Sequence, residues 1–199
     1  MSEELVIRHC APTLAGMKTG SMFSCMFETK DEMRDTIRRL NRVFSKRGIR
    51  TLPLRNKDNR FLIYVFRPED LKRDLKNGKV CDLLEKRGYC CKTPQKCIAQ
   101  LIKRINESPD FPHEVGCFLG FPPEDVCGFI NNEARDCKCV GYWKVYGDEE
   151  KARKLFDRYR KCTKVYCECF EKGYSLEKLT VVKTVSYTHL RAHETELHL

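Results

Sequence analysis

The sequence lacks every short motif that marks a common enzyme or cofactor site. It contains no phosphate-binding GxxxxGK[ST] or GxGxxG loop, no HExxH metalloprotease motif and no GxSxG nucleophile motif. It also lacks the paired C-x2-C knuckles that usually hold structural zinc or an iron–sulfur cluster. Nothing therefore assigns the chain to the nucleotide-binding, zinc-protease or serine-hydrolase classes.

Long apolar runs and a secretion signal are also missing. No stretch of about eighteen apolar residues occurs, which excludes a predicted membrane-spanning helix. The first residues, MSEELVIRHC, carry acids where a signal peptide has bases, and no apolar segment follows them. We therefore expect a cytosolic protein whose 13 cysteines are reduced thiols rather than disulfides.

Histidine is scarce, with 5 residues that are unevenly placed. His189, His193 and His198 lie in the C-terminal segment VSYTHLRAHETELHL, which has no apolar periodicity. This segment resembles a translated sequencing-adapter read-through. We therefore predict one natural domain over residues 1–184 and a non-native or disordered tail over residues 185–199. Only His9 and His113 remain as candidate site histidines.

The apolar patterning predicts a single domain of mixed helices and strands. Period-two alternation predicts strands at 21–27, 49–54, 61–66, 113–119, 139–146 and, at an edge, 176–182. A period near 3.6 predicts helices at 3–9, 30–47, 68–76, 80–87, 94–106, 122–130 and 148–172. The strand at 61–66, FLIYVF, is apolar throughout and is predicted to be central. The fold class is α/β (α+β), a layered sandwich with a mixed sheet of about five strands packed by helices.

The cysteines divide into two groups. Seven fall on apolar stripes and are predicted to be small core residues: Cys25, Cys97, Cys117, Cys127, Cys139, Cys162 and Cys169. Six do not: Cys10, Cys81, Cys90, Cys91, Cys137 and Cys167. One hypothesis is therefore a redox, metal- or haem-handling protein that uses off-core thiols with His9 or His113. The spacings single out no metal ligands, and the sequence leaves the cofactor open.

The candidate site that we favour combines His9, Cys10, Lys18, His113 and Glu114. A cysteine beside a histidine is typical of an activated thiolate, and a histidine beside a glutamate is typical of acid–base chemistry. Lys18 would supply positive charge. These residues lie near sharp proline turns, where sites are often assembled. We therefore expect a pocket that binds a small anionic molecule.

A formal net charge of +10 leaves other partners open. The predicted helix at 30–47 carries Arg34, Arg38, Arg42 and Lys46 on its outer face, which is the basis of a hypothesis of nucleic-acid or protein binding. The segment GYWKVY at residues 141–146 alternates aromatic residues with lysine, a pattern that stacks on bases or packs under a helix. We favour packing for this segment, and a small anionic molecule over nucleic acid as the partner. The oligomeric state is not set by the sequence.

Three blocks of sequence together resemble one family. They are HCAPTLAGMKTGSMF at residues 9–23, HEVGCFLGFPPEDVCGFI at 113–130 and GYWKVYGDEEKARKLFDRYRKC at 141–162, and FLIYVFR at 61–67 also matches. The chain resembles the domain-of-unknown-function family 3793, found mainly in anaerobic Firmicutes, over nearly its whole length up to about residue 184. The resemblance implies a cytosolic single-domain protein and supplies no activity. Besides the five candidate residues, the blocks contain Pro12, Gly120, Pro122, Asp125, Trp143 and Lys144.

Overall fold

The computed structural model describes residues 1–183, and the predicted tail at 185–199 lies outside these residues. Its central sheet has three strands, β1 (Gly20–Met26), β2 (Arg50–Lys57) and β3 (Arg60–Phe66). The order is β1-β3-β2, and β3 pairs antiparallel with both neighbours. The prediction that 61–66 is central is confirmed. A second, two-stranded sheet joins β4 (Cys139–Val140) to β5 (Lys144–Val145).

Eight helices surround these sheets within residues 1–183. They are α1 (Glu3–Leu14), α2 (Lys30–Phe44), α3 (Pro68–Leu75), α4 (Gly78–Lys86), α5 (Pro94–Glu107), α6 (Val115–Phe118), α7 (Pro123–Asn131) and α8 (Glu149–Glu171). A 3-10 turn, Ser45–Arg47, follows α2. Side chains of Ser2, Thr29, Asn77, Thr93 and Asp148 accept hydrogen bonds from the first turns of α1, α2, α4, α5 and α8.

The alternating side chains of β3 divide the apolar interior into two cores. Phe61, Ile63 and Val65 enter the first core, which α1, α2 and the second half of α8 complete. Tyr64 and Phe66 enter the second core, which holds the apolar faces of α3 to α7. Because both faces of β3 are covered, a continuous apolar run is what this position requires. A third core joins the β4–β5 hairpin to α8 through Trp143, Val145, Ala152, Phe156 and Tyr159.

Arg67, directly after β3, connects distant parts of the chain. Its side chain is 2% exposed and donates to the carbonyl oxygens of Thr13 and Leu14 at the end of α1, and to that of Val181. Helix C-termini leave carbonyls without intrahelical partners, and a buried guanidinium satisfies several of them together. The first helix and the segment after α8 are therefore held at one point.

The structure agrees with the α+β class and corrects the predicted sheet. Instead of about five strands in a mixed sheet, residues 1–183 contain a three-stranded sheet and a two-stranded hairpin, and all their pairings are antiparallel. The strand predicted at 113–119 is wrong, because residues Val115–Phe118 form one helical turn. The strand predicted at 139–146 is interrupted by a turn, and 176–182 forms turns rather than an edge strand.

No helix in the described part of the chain combines the length and the apolar character needed to cross a bilayer.

Candidate functional site

Three separate parts of the chain meet around Phe121, in the turn between α6 and α7. The Lys18 Nζ lies 5.2 Å from the centre of the Phe121 ring. The Trp143 ring, in the turn between β4 and β5, lies 4.7 Å from it, centre to centre. Tyr159 of α8 donates a hydrogen bond to the carbonyl oxygen of Met17 at 3.3 Å. Parts of all three blocks that carry the family resemblance therefore meet in space.

Asp125, in the first turn of α7, fastens the β4–β5 hairpin to this helix. Its Oδ2 accepts a hydrogen bond from Trp143 Nε1 at 2.6 Å, and its Oδ1 accepts bonds from the backbone amides of Tyr146 and Gly147, both at 2.8 Å. The residue is 3% exposed. A buried carboxylate with three N–H donors is well satisfied, so we assign Asp125 a structural role at this site.

A cavity of about 290 Å³ lies between α7 and the hairpin. Aromatic rings form much of its wall, and three aliphatic residues and two glycines complete the apolar part. The aromatic lining residues are Phe111, Phe121, Phe129 and Trp143. The polar lining side chains are His113, Asp125 and Lys144. An apolar cavity with a few convergent polar groups is the usual form of a small-molecule site.

Lys144 and His113 are the other two polar side chains of the cavity, and unlike Asp125 they are not occupied by three hydrogen bonds. Lys144 Nζ donates to the carbonyl oxygen of Ala134 at 2.7 Å and lies 6.0 Å from the ring centre of Phe129. An ammonium has three N–H donors, so two of them have no acceptor among residues 1–183. The exposed His113 packs against Phe129 at 5.0 Å in an edge-to-face arrangement. The cavity therefore presents a cation and an imidazole beside flat apolar surfaces.

Lys18 is a partly buried cation without a carboxylate partner among residues 1–183. No ion pair or hydrogen bond of its Nζ occurs there, and its described contact is with the Phe121 ring. Burial lowers the pKa of Lys18 to about 8, against a smaller opposing effect of Cys10. Lys18 does not line the 290 Å³ cavity, but Phe121 does.

Cys10 lies in the first core and is 0% exposed. Burial raises the pKa of its thiol to about 12, against a smaller lowering by Lys18. A fully buried, protonated thiol is a poor nucleophile. The structure therefore brings Cys10 and Lys18 close together, but as a core thiol beside an ammonium.

The five residues of the predicted site are not assembled in one pocket. His9 is exposed and stacks on Phe23 of β1 at 5.1 Å, beside the first core, where burial and the neighbouring Arg8 lower its pKa. Glu114 is 1% exposed and accepts a hydrogen bond from Tyr89 of the second core at 2.9 Å. His9 and Glu114 thus contact cores on opposite faces of the central sheet.

The described partners of the Glu114 carboxylate do not include His113. Its oxygens lie 3.6 Å from Arg104 Nη1 and 3.9 Å from Arg87 Nη1, in addition to the bond from Tyr89. A carboxylate held in this way stabilises the junction of α4, α5 and α6. Only His113 of the five predicted residues lines the aromatic cavity.

Sequence reasoning missed the aromatic wall. Phe111, Phe121 and Phe129 are not among the candidate site residues, and Trp143 and Lys144 belong to the segment for which packing is favoured. The sequence does contain many aromatic residues in 111–130 and in the hairpin, but their density does not indicate that the rings enclose a space.

The comparisons with known proteins place the chain in a family. The family model described as "Protein of unknown function (DUF3793)" matches residues 6–180, and the chain belongs to this family. The resemblance inferred from the three blocks is thus confirmed. No curated protein and no solved structure matches the chain.

Proposed function

We propose that the protein binds a small, flat, negatively charged molecule in the aromatic cavity between α7 and the β4–β5 hairpin. The observation that carries this proposal is the lining itself, which sets four aromatic rings around a space that Lys144 and His113 also border. We keep the prediction of an anionic ligand, but we propose that it binds in this cavity rather than between His9, Cys10, Lys18, His113 and Glu114.

Size and shape favour a compact ligand. The volume of about 290 Å³ is at the lower end of the range of roughly 300–1,000 Å³ that is common for small-molecule pockets. Four aromatic residues line the space, and contacts between aromatic rings contribute about 0.5–1.5 kcal/mol per pair beyond the buried area. A single aromatic ring with a charged substituent meets both limits.

Charge favours an anion. Lys144 keeps two N–H donors, whereas Asp125, the acidic group of the lining, already accepts three hydrogen bonds. Hydrogen bonds between an ammonium and a carboxylate or phosphate are stronger than neutral ones. The formal charge of +10 also raises the concentration of anions around the protein. No acid–base step is assigned, since the described partners of the Glu114 carboxylate are Tyr89, Arg104 and Arg87 rather than His113.

The nucleic-acid alternative has weaker support. Arg34, Arg38, Arg42 and Lys46 are exposed on α2 and its following turn, as predicted. However, Arg34 pairs with Asp31 and Arg38 with Asp35 on the same helix face, which reduces the positive charge offered to phosphates. The redox and haem alternative requires His9 or His113 near the off-core thiols, and neither belongs to the group of clustered metal-ligand atoms within residues 1–183.

The chain contains a single tryptophan, Trp143, so its fluorescence reports on the cavity wall. We expect 4-nitrobenzoate, a flat anion that quenches indole emission, to quench Trp143 in a saturable manner. Its neutral counterpart 4-nitrobenzamide should bind more weakly. Lys144→Met should weaken 4-nitrobenzoate binding about tenfold, the loss of roughly 1.4 kcal/mol expected when one charge-assisted hydrogen bond is removed.

Lys138→Met provides the matched control. Lys138 lies on the same hairpin and donates to the carbonyl oxygen of Gly147 at 2.6 Å, but it does not line the cavity. This variant should keep the affinity of the unmodified protein in calorimetric titrations. Equal binding of the amide and the carboxylate, or equal affinities of the two lysine variants, would overturn the proposal.

A further inference from the structure

Thiols and a carboxylate cluster at a second place, where α4 ends and the chain turns into α5. Cys81 Sγ lies 3.5 Å from Glu85 Oε1, and Cys91 Sγ lies 3.9 Å from the carbonyl oxygen of Cys81. One ligand atom from each of Cys81, Glu85 and Cys91 lies within 4.8 Å of the other two. Within residues 1–183 this is the one group of three or more potential metal-ligating side chains with such spacing.

A third thiol borders the group. Cys97 is buried in the first turn of α5, and its Sγ lies 3.4 Å from the carbonyl oxygen of Cys90, the neighbour of Cys91. Its sulfur does not belong to the set of three ligand atoms that lie within 4.8 Å of one another. Cys97 therefore packs against the cluster from the second core.

The local structure holds these ligands in place. Cys81 and Glu85 are four residues apart on α4, a spacing that puts both on one face of a helix. The loop that carries Cys91 is fixed by Gln100 of α5, whose Oε1 accepts from the Cys90 amide at 2.7 Å and whose Nε2 donates to the Gly88 carbonyl at 3.1 Å. A site on one helix and on a loop that is clamped to the next helix is largely formed before any ligand arrives.

We propose that Cys81, Glu85 and Cys91 bind one thiophilic divalent cation, for which Zn²⁺ is the expected occupant. Two sulfur ligands and one carboxylate oxygen, with water in the fourth position, suit zinc, whereas magnesium and calcium take oxygen ligands. The proposal concerns a site separate from the aromatic cavity and does not rest on the proposed function.

The geometry needs only a small adjustment. A tetrahedral zinc with Zn–S bonds of about 2.3 Å places its sulfur ligands roughly 3.8 Å apart. The spread of up to 4.8 Å must therefore close by about 1 Å, which side-chain rotation of the partly exposed Cys81 and Cys91 and the exposed Glu85 can provide. The sequence around the site is rich in lysine, with exposed Lys79, Lys86, Lys92 and Lys96, and this compensates the negative charge of a zinc–thiolate centre.

Binding must displace protons from the thiols, because the thiolate is the form that coordinates a metal. The balance is one Zn²⁺ bound and two thiol protons released to the buffer, one from each sulfur ligand.

The test uses the full chain, purified with a reductant and without chelators, and titrated with Zn²⁺ and with Co²⁺. We expect one equivalent of Zn²⁺ by calorimetry and elemental analysis, with proton release detected by comparing buffers of different ionisation enthalpy. Co²⁺ should give a thiolate-to-cobalt charge-transfer absorption. Cys91→Ser should weaken Zn²⁺ binding about 100-fold or more, since it removes a direct ligand.

A double variant, Cys137→Ser with Cys139→Ser, is the control, because it removes two partly buried thiols from the hairpin region and leaves the proposed ligands intact. It should bind Zn²⁺ like the unmodified protein. Cys91 lies in a loop, so its replacement is the variant best suited to keep the fold, which circular dichroism would verify. Absence of Zn²⁺ binding by the reduced protein, or unchanged binding by Cys91→Ser, would overturn the proposal. So would a Cys81–Cys91 or Cys91–Cys97 disulfide that forms in place of metal uptake under reductant.

Discussion

Lys18 carries a positive charge at a position that disfavours it. Its ammonium is partly buried, faces the Phe121 ring and has no carboxylate within 4.0 Å among residues 1–183. Contact with an aromatic face returns only part of the lost hydration, about 0.5–2 kcal/mol. The lowered pKa of about 8 reflects the free-energy cost of keeping this ammonium charged in the folded protein.

We predict that Lys18→Met stabilises the protein at pH 7. The folded-state pKa of about 8 lies below the usual 10.5, so the penalty on the charged form is complete below pH 8 and disappears as the pH rises past 10.5. The free energy of unfolding of the variant should exceed that of the unmodified protein at pH 7 by up to roughly 3 kcal/mol. The difference should shrink between pH 8 and 10.5, measured by urea denaturation.

Lys46→Met serves as the comparison, because Lys46 is exposed at the end of the basic face of α2. Its effect should be within about 0.5 kcal/mol at every pH. A Lys18→Met variant that is less stable at pH 7, with a difference independent of pH, would contradict the assignment.

Among the single elements, α7 packs closely against the residues that follow the β4–β5 hairpin, and the contact point on α7 is a glycine. A Cβ added to Gly128 would clash with Cβ and Cγ of Tyr146, which cannot move without shifting the whole side chain. Alanine normally stabilises a helix interior by about 1 kcal/mol relative to glycine. Here the packing requires the absence of a side chain, and the same contact sets the distance between two walls of the aromatic cavity.

We predict that Gly128→Ala destabilises the protein by about 1–3 kcal/mol, because the Tyr146 ring must move away from α7. Emission of Trp143 should change as the hairpin shifts, and both effects can be followed in one urea titration monitored by fluorescence. Gly78→Ala is the matched control, since a Cβ at Gly78, in the first turn of α4, meets no atom within 4 Å. That variant should be neutral or slightly stabilising; a stabilised Gly128→Ala variant would refute the prediction.

Individual helices and strands differ in how well the sequence predicts them. The period-3.6 stripe of Met33, Ile37, Leu40 and Phe44 was sufficient for α2, because it extends over several turns and all four residues are buried. The alternation at 113–119 spans only a few residues, and a single helical turn such as α6 gives a similar apolar pattern. Whether β4 and β5 form one strand or a hairpin depends on contacts with Asp125, which lies outside the segment.

The candidate site was predictable only in part for the same reason. Family resemblance selected Lys18, His113 and Lys144 as residues of interest, but not which of them share a cavity. The partners of Glu114 include Tyr89 and Arg104, which are brought to it by the packing of α5 against α3 and the sheet. Such long-range placements have no counterpart in local spacing.

At the scale of the whole molecule, Arg67 connects segments that are far apart in the sequence. It joins the carbonyl oxygens at the end of α1 to that of Val181 and lies 3.5 Å from the Arg47 carbonyl oxygen. We predict that Arg67→Met lowers the free energy of unfolding by about 2–4 kcal/mol, because buried carbonyls lose charge-assisted partners. Thermal or urea unfolding would measure the loss.

Arg60→Met, at the exposed start of β3, is the control and should change stability by less than about 0.5 kcal/mol. Arg67→Lys keeps the charge but cannot reach several carbonyls with one ammonium, so it should recover only part of the loss. If Arg67→Met and Arg60→Met unfold alike, the guanidinium does not hold the two segments together.

Arg67 hydrogen-bonds both to the end of α1 and to the segment after α8, so it connects the beginning and the end of the described chain. Leu176 and Leu179 fill the first core, and Lys183 pairs with Asp70 beside the same junction. Residues that belong to neither helix nor strand thus contribute side chains to the packed core and to its ion pairs. Side-chain contacts beyond residue 171, where α8 ends, therefore belong to the packed structure of residues 1–183.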